Sequence, residues 1–207
     1  MPRKNLIRQS EVPYHVFTRS NNKDWFQIPM PEMWKASISA LENSLEQCSV
    51  KIHVFVLMGN HYHMLLSTPG CDLDKFMMNF NKKLSDKINR SSGVINHKFS
   101  NRYHWTIVNK DSYLFNIYRY IYQNPVRANL SKRCIDYPYS SLQFTNVELI
   151  NLNITTHLSY HDFQSWFENR NDKETNDAIR KSMIKGYFKI RERERVFVKE
   201  KLREVPS

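Results

Sequence analysis

The stretch VLMGNHYHMLL, residues 56–66, places two histidines inside an apolar run that is otherwise typical of a buried strand. Gly59-Asn60 in its middle is a two-residue signal for a hairpin turn. Side chains alternate along a strand, so His61 and His63 should point to one face and Tyr62 to the other. Two imidazoles on one face are the beginning of a metal site, although two core or edge histidines give the same pattern.

The sequence around this hairpin predicts the rest of a sheet. VKIHVFVLM, before the turn, is apolar on both faces, as expected of a central strand. HYHMLLST, after it, is the returning antiparallel strand. A first strand is predicted at PYHVFTRSNN and a fourth at RYHWTIVNK. Three helices are predicted from their apolar spacing at PEMWKASISALENSLEQC, DLDKFMMNFNKKLSDKINR and SYLFNIYRYIYQN.

The order of these elements is β-α-β-β-α-β followed by a helix. This order predicts an α+β fold of the ferredoxin-like split-βαβ type, with an antiparallel sheet and helices on one face. The third helix should end near Asn124, because Pro125 restricts the residue before it. We expect a catalytic domain over residues 1–145 and a basic helical C-terminal extension over residues 146–207.

The bulk composition is that of a folded, basic chain. Of its 207 residues 41% are hydrophobic, and the net charge is +11. Such a chain typically has a polyanionic partner, usually nucleic acid, although a merely basic surface gives the same charge. No apolar run approaches the ~20 residues that span a bilayer, and the N-terminus lacks a signal-peptide core. The three cysteines are widely spaced, so we expect a cytoplasmic protein without a disulfide framework.

The third predicted helix supplies further candidates. Tyr120 lies off its apolar stripe, on the same flank as Asn116 and Asn124, which are four residues before and after it. The basic residues Arg119 and Arg127 surround this flank. A packed aromatic is the simplest alternative for Tyr120, since tyrosines are frequent in this helix.

Two stretches together resemble a known family. VLMGNHYHMLL is similar to the HUH motif (His-hydrophobic-His) of single-tyrosine DNA transposases, and YRYIYQNPVRANL is similar to the tyrosine helix of their REP-associated branch. MPRKNLIRQSEVPYHVFTRSNN and YPYSSLQF also resemble that branch, so the similarity covers roughly residues 1–145. The chain departs from the family pattern at Gly59, where proline is frequent, and at Ser20, where glycine is frequent. Both departures affect turns.

The resemblance implies a chemistry. His61, His63 and Asn124 would hold a divalent metal, Mg²⁺ or Mn²⁺, and Tyr120 would attack a phosphodiester to form a 5′-phosphotyrosine. The substrate would be single-stranded DNA next to a hairpin, and the activity that of an endonuclease and strand transferase. No nucleotide cofactor is implied. The family includes dimers that exchange the tyrosine helix and members that act alone, so a monomer and a homodimer are both open.

Basic and aromatic residues complete the expected DNA site. The residues that we expect to contact phosphate are Arg3, Lys4, Lys82, Lys83, Arg102, Arg119 and Arg127. Lysines of the second helix are equally typical of a solvated face. Phe99, Tyr103 and Trp105 are candidates for stacking on unpaired bases or for core packing.

Two alternatives to a transposase stay open on the sequence. One is a replication initiator or relaxase with the same HUH chemistry, and the other is a non-catalytic nucleic-acid-binding module on a ferredoxin-like fold. The basic C-terminal extension either adds phosphate contacts or packs over the catalytic face and limits access.

Overall fold

A four-stranded antiparallel sheet forms the centre of the molecule. The structure, a computed structural model, describes residues 5–93, 99, 103–155 and 160–189, with the backbone alone at residues 111 and 112. The strands are β1 (Tyr14–Arg19), β2 (Lys51–Leu57), β3 (His61–Ser67) and β4 (His104–Ile107). Their order is β2-β3-β1-β4, and every neighbouring pair is antiparallel. The predicted split-βαβ fold is therefore confirmed.

Helices and short turns connect the strands and continue the chain after them. The helices in the described part of the chain are α1 (Met30–Leu45), α2 (Leu73–Ser92), α3 (Asp111–Tyr122), α4 (Asn124–Arg127), α5 (Asn146–Asn151), α6 (Gln164–Glu168) and α7 (Lys173–Ser182). Short 3₁₀ turns occur at Asn21–Lys23, Cys134–Asp136 and Ser141–Gln143.

Helices α1 and α2 pack on one face of the sheet, as predicted. The apolar stripe of α2 recurs every three or four residues, and all of it is buried. Gly93, with a φ of 69°, ends this helix in the left-handed conformation. Phe80 of α2 contacts Phe55 and Tyr62 of the sheet with edge-to-face rings. Burial of a phenylalanine of this kind contributes roughly 1.5–3 kcal/mol.

Helix α3 packs on the opposite face and forms a second core there. Ile117 and Ile121 of α3 are fully buried in the same apolar cluster as Val56 of β2 and Leu65 of β3. Helices α6 and α7 join this cluster through residues such as Phe167 and Ile179, so this part of the C-terminal extension packs against α3. The expected domain boundary near residue 145 stays a prediction.

Strand β2 lies at the edge of the sheet, and the prediction of a central position was wrong. Its side chains are buried because α1 and α2 cover one face of the sheet and α3 covers the other, and a later segment pairs with its outer edge. Leu57 N donates to the Tyr139 carbonyl at 2.9 Å, and Ile52 exchanges backbone hydrogen bonds with Asn153 and Thr155. The strand therefore has the composition of an interior strand without being one.

Pro125 does not end the helical path, although α3 stops close to the predicted residue. It lies in the first turn of α4, where a missing N–H costs nothing. The helical path continues into α4, and the Arg127 side chain reaches back to the Tyr120 carbonyl. None of the helices in the described ranges combines the length and the apolarity needed to cross a bilayer.

Candidate active site

His61 and His63 lie at the start of β3, on the sheet face that α3 covers. Their ring centroids are 5.3 Å apart. In the register of the sheet His61 pairs with Arg19 of β1, and His63 pairs with Phe17. The two imidazoles are therefore adjacent groups on one face, and residues of β1 flank them.

The hydrogen bonds of Asn60 fix the tautomer of His61. Asn60 Nδ2 donates to the Lys23 carbonyl at 2.6 Å, so its Oδ1 is the atom that lies 2.7 Å from His61 Nδ1. An amide oxygen only accepts, so His61 carries its proton on Nδ1 and its lone pair on Nε2. Burial and, to a smaller extent, the nearby Arg19 charge lower the pKa of His61 to about 4. The neutral ring is the form that binds metals.

His63 makes a buried hydrogen bond to a histidine of the neighbouring strand. His63 Nδ1 lies 3.0 Å from His15 Nε2, and the two rings stack. Burial lowers the pKa of His63 well below its usual range and that of His15 to about 3, so both rings are neutral at pH 7. The nitrogen of His63 that remains for another ligand is Nε2. His15 Nδ1 is buried and has no hydrogen-bond partner in the described part of the chain.

Tyr120 of α3 packs its ring against His63. The ring centroids are 6.2 Å apart and nearly perpendicular. The other tyrosines of the helix turn elsewhere: Tyr118 is fully buried, and the Tyr122 hydroxyl lies 3.1 Å from Ser141 Oγ. Among these three tyrosines, Tyr120 is the one whose ring contacts the histidine pair.

Arg127 joins Tyr120 to Asn124. Its guanidinium carbon lies 4.2 Å from the Tyr120 ring centroid, and its Nη2 donates to Asn124 Oδ1 at 2.7 Å and to the Tyr120 carbonyl at 3.0 Å. The Asn124 amide nitrogen donates to the carbonyls of Tyr120 and Ile121, so this side chain lies back along the end of α3. Arg127 Nη1 is buried and, among the described residues, has no hydrogen-bond partner.

Arginines from three elements act on the Tyr120 hydroxyl. Burial raises the pKa of Tyr120, and the charges of Arg127, Arg180 and Arg19 oppose that rise. Arg180 belongs to α7, so the C-terminal extension contributes a positive charge to this site. Arg127 lies against the Tyr120 ring, and the charges of Arg180 and Arg19 add to a positive field that favours an anion at this site.

The other predicted phosphate contacts are not brought to this site. Arg119 is 3% exposed, and its guanidinium lies 4.7 Å from the Trp166 ring centroid. This burial argues against the expected phosphate contact of Arg119. Lys82 and Lys83 lie on α2, on the far side of the sheet, where Lys83 Nζ donates to Asn43 Oδ1 at 3.1 Å. Arg3, Lys4 and Arg102 lie outside the described residues.

The predicted stacking residues belong to the core. Tyr103 and Trp105 are 9% and 4% exposed in the cluster under α1 and α2, and Phe99 packs against Phe26 and Tyr62. They are not placed to receive a base.

Several residues of the candidate site were not among those predicted from the sequence. His15 and Arg19 share a face of β1 with Phe17, and this alternation was visible in the sequence. What was not visible is the register that sets this face beside His63. Arg180 lies outside the family resemblance, and the sequence indicated phosphate contacts only for the basic C-terminal extension as a whole. No group of three or more His, Cys, Asp and Glu side chains in the described chain has the arrangement of a metal site.

Comparisons with known proteins identify the family. The family model described as "Transposase IS200 like" matches residues 8–124, more than half of the chain, and this range includes both histidines, Tyr120 and Asn124. The fold is similar to that of a REP-associated tyrosine transposase solved in complex with a REP hairpin. That match has a TM-score of 0.55 and 17% identity, and it covers 68% of this chain and 82% of the other. No curated protein matches. The chain therefore belongs to the IS200-like transposase family.

Proposed function

We propose that this protein cleaves single-stranded DNA next to a hairpin and rejoins strands through a 5′-phosphotyrosine at Tyr120. The proposal includes a divalent ion, Mg²⁺ or Mn²⁺, held by His61, His63 and Asn124. A single observation carries it: the Tyr120 ring contacts His63 while three arginine charges act on the same phenol.

The donor atoms fit a divalent ion. His61 and His63 are neutral and keep Nε2 for a ligand, and Asn124 Oδ1 keeps one lone pair beside its bond to Arg127. Mixed imidazole and amide-oxygen donors suit Mg²⁺ or Mn²⁺, although imidazoles also accept zinc or nickel. An ion bound there would polarise a phosphate oxygen as a Lewis acid.

The reaction that these residues support is a transesterification. The Tyr120 hydroxyl loses its proton and attacks phosphorus, a bond forms between Oη and phosphorus, and the bond from phosphorus to the 3′ oxygen breaks. The 3′ oxygen leaves with a proton as a hydroxyl. One phosphodiester replaces another, so a later 3′-hydroxyl can reverse the step without an added energy source.

Arg127 has two roles in this proposal. Its Nη2 positions Asn124 and the backbone of Tyr120, and its buried Nη1 would donate to a phosphate oxygen of the bound DNA. A buried N–H donor without a partner costs about 1–3 kcal/mol, and a bound phosphate would remove that cost.

A library of hairpin oligonucleotides with randomised stems and single-stranded flanks tests the proposal without knowledge of the target sequence. The protein is incubated with the library and Mn²⁺, and denaturing gels then separate covalent adducts from free DNA. We expect an SDS-resistant species that a nuclease and mass spectrometry map to Tyr120. Binding to the library with no adduct would instead identify a non-catalytic nucleic-acid-binding module.

Arg127→Lys is expected to slow adduct formation about 100-fold, because an ammonium keeps the charge but cannot form the guanidinium fork. The rate is measured in single-turnover reactions with a hairpin selected from the library. Arg133→Lys is the matched control, since Arg133 is exposed and pairs with Asp136. A rate within twofold of the wild-type protein would remove Arg127 from the mechanism.

A further inference from the structure

Trp25 presents an aromatic ring to solvent beside the β2–β3 turn. Its side chain is 68% exposed, whereas Trp105 and Trp166 are buried. A single exposed hydrophobic residue is common and needs no explanation by itself. The close contacts that hold this ring in place, however, call for an explanation.

One side of the Trp25 ring lies directly on the backbone of Gly59. A Cβ atom built on Gly59 would come within 2.4 Å of Trp25 Cζ3 and 2.6 Å of Cε3. Gly93 is the glycine with a positive φ in the described chain, so Gly59 is not required for a left-handed backbone. Glycine at position 59, where the family often has proline, leaves the space that the indole occupies.

The loop that carries Trp25 is bound to the same turn. Ser20 N donates to the Asn60 carbonyl at 2.9 Å, Phe26 N donates to the Gly59 carbonyl at 3.1 Å, and Asn60 Nδ2 donates to the Lys23 carbonyl at 2.6 Å. Asn60 also holds the His61 tautomer. The indole is therefore fixed relative to His61. Only Asn60 separates Gly59 from His61, so the Cα atoms of these two residues are at most ~7 Å apart.

We propose that Trp25 is the stacking site for an unpaired nucleobase of the single-stranded DNA that enters the active site. This inference rests on the proposed function. A ring that is held against the turn and is still 68% exposed binds a base without a large loss of side-chain entropy, and stacking does not depend on the identity of the base. Arg19 and Lys23 supply cations in the same region for the adjoining phosphates, which favours a nucleic acid over an apolar protein segment.

The first test is a fluorescence titration of the full chain with the single-stranded homopolymer dT20. Stacking on an exposed indole should quench its emission. We expect quenching in the wild-type protein and its loss in Trp25→Phe. Trp34→Phe is the control and should keep the quenching, because Trp34 stacks on Phe55 and Phe144 within the fold.

The second test is the affinity for dT20 across a salt series. Trp25→Ala should weaken binding roughly five- to 100-fold, with the slope against salt unchanged because no charge is removed. Met78→Ala, which removes a 63% exposed side chain from α2, should bind like the wild-type protein. Gly59→Ala should push the ring aside and weaken binding to a similar extent. The double variant Gly59→Ala/Trp25→Ala should bind dT20 little more weakly than either single variant, since both changes remove the same contact.

Wild-type affinity of Trp25→Ala, or quenching that persists in Trp25→Phe, would overturn the stacking site. A dimer that dissociates in Trp25→Ala at unchanged dT20 affinity would overturn it in favour of a protein interface. The adduct assay is scored separately with Tyr120→Phe. Quenching by dT20 in a protein that forms no adduct would support stacking while rejecting the proposed cleavage.

Discussion

Tyr120→Phe is expected to abolish the covalent protein–DNA adduct while leaving the fold and hairpin binding intact. The substitution removes only the hydroxyl, so the ring contacts with His63 and Arg127 remain. Loss of the attacking oxygen should reduce adduct formation at least ~1,000-fold, whereas the free energy of unfolding should change by no more than about 1 kcal/mol. Denaturing gels measure the adduct, and urea unfolding measures the stability.

Tyr122→Phe is the matched control for this prediction. It removes a hydroxyl from the same helix, but one whose partner is Ser141 within the second core. Adduct formation should persist in this variant. An adduct that survives in Tyr120→Phe and disappears in Tyr118→Phe or Tyr122→Phe would assign the nucleophile to that tyrosine.

His61→Ala and His63→Ala are each expected to remove cleavage and to weaken Mn²⁺ binding roughly 100-fold or more. Loss of an outer-shell partner alone commonly costs 10–100-fold in metal affinity, and loss of a ligand should cost at least as much. Both rings are neutral at pH 7, so their removal takes away no positive charge and should leave the salt-dependent part of DNA binding unchanged. Calorimetric titration with Mn²⁺ measures the affinity in the absence of DNA.

His161→Ala is the control for metal binding, because it removes an exposed imidazole from the C-terminal extension. Its Mn²⁺ affinity should match that of the wild-type protein. If His61→Ala and His63→Ala also bind Mn²⁺ normally, the pair is a structural feature of β3 and not a metal site.

The sequence predicted the sheet and its helices because alternation and helical spacing are local properties. The hairpin at Gly59-Asn60 and the stripe of α2 are examples, and each is set by neighbours in the chain. The edge position of β2 could not be predicted, since helices cover both faces of the strand and its outer edge bonds to residues 82 to 103 positions later in the chain. A strand whose two faces are both covered has the composition of an interior strand wherever it lies in the sheet.

The candidate site was predictable only in part for the same reason. A pair of histidines on one face and a tyrosine on the flank of a helix are local patterns. Contacts between elements are not, and they decide that Arg127 reaches Tyr120 while Arg119 packs on Trp166 in the second core. Two arginines eight residues apart therefore have the same sequence signal and opposite surroundings.

The contact between His63 and Tyr120 joins two residues of one polypeptide. Under the proposed function, a chain that uses this pair would carry one complete set of histidines and tyrosine. Active sites would then be counted one per chain, and mixing an inactive variant with the wild-type protein would lower the activity only in proportion to the inactive share.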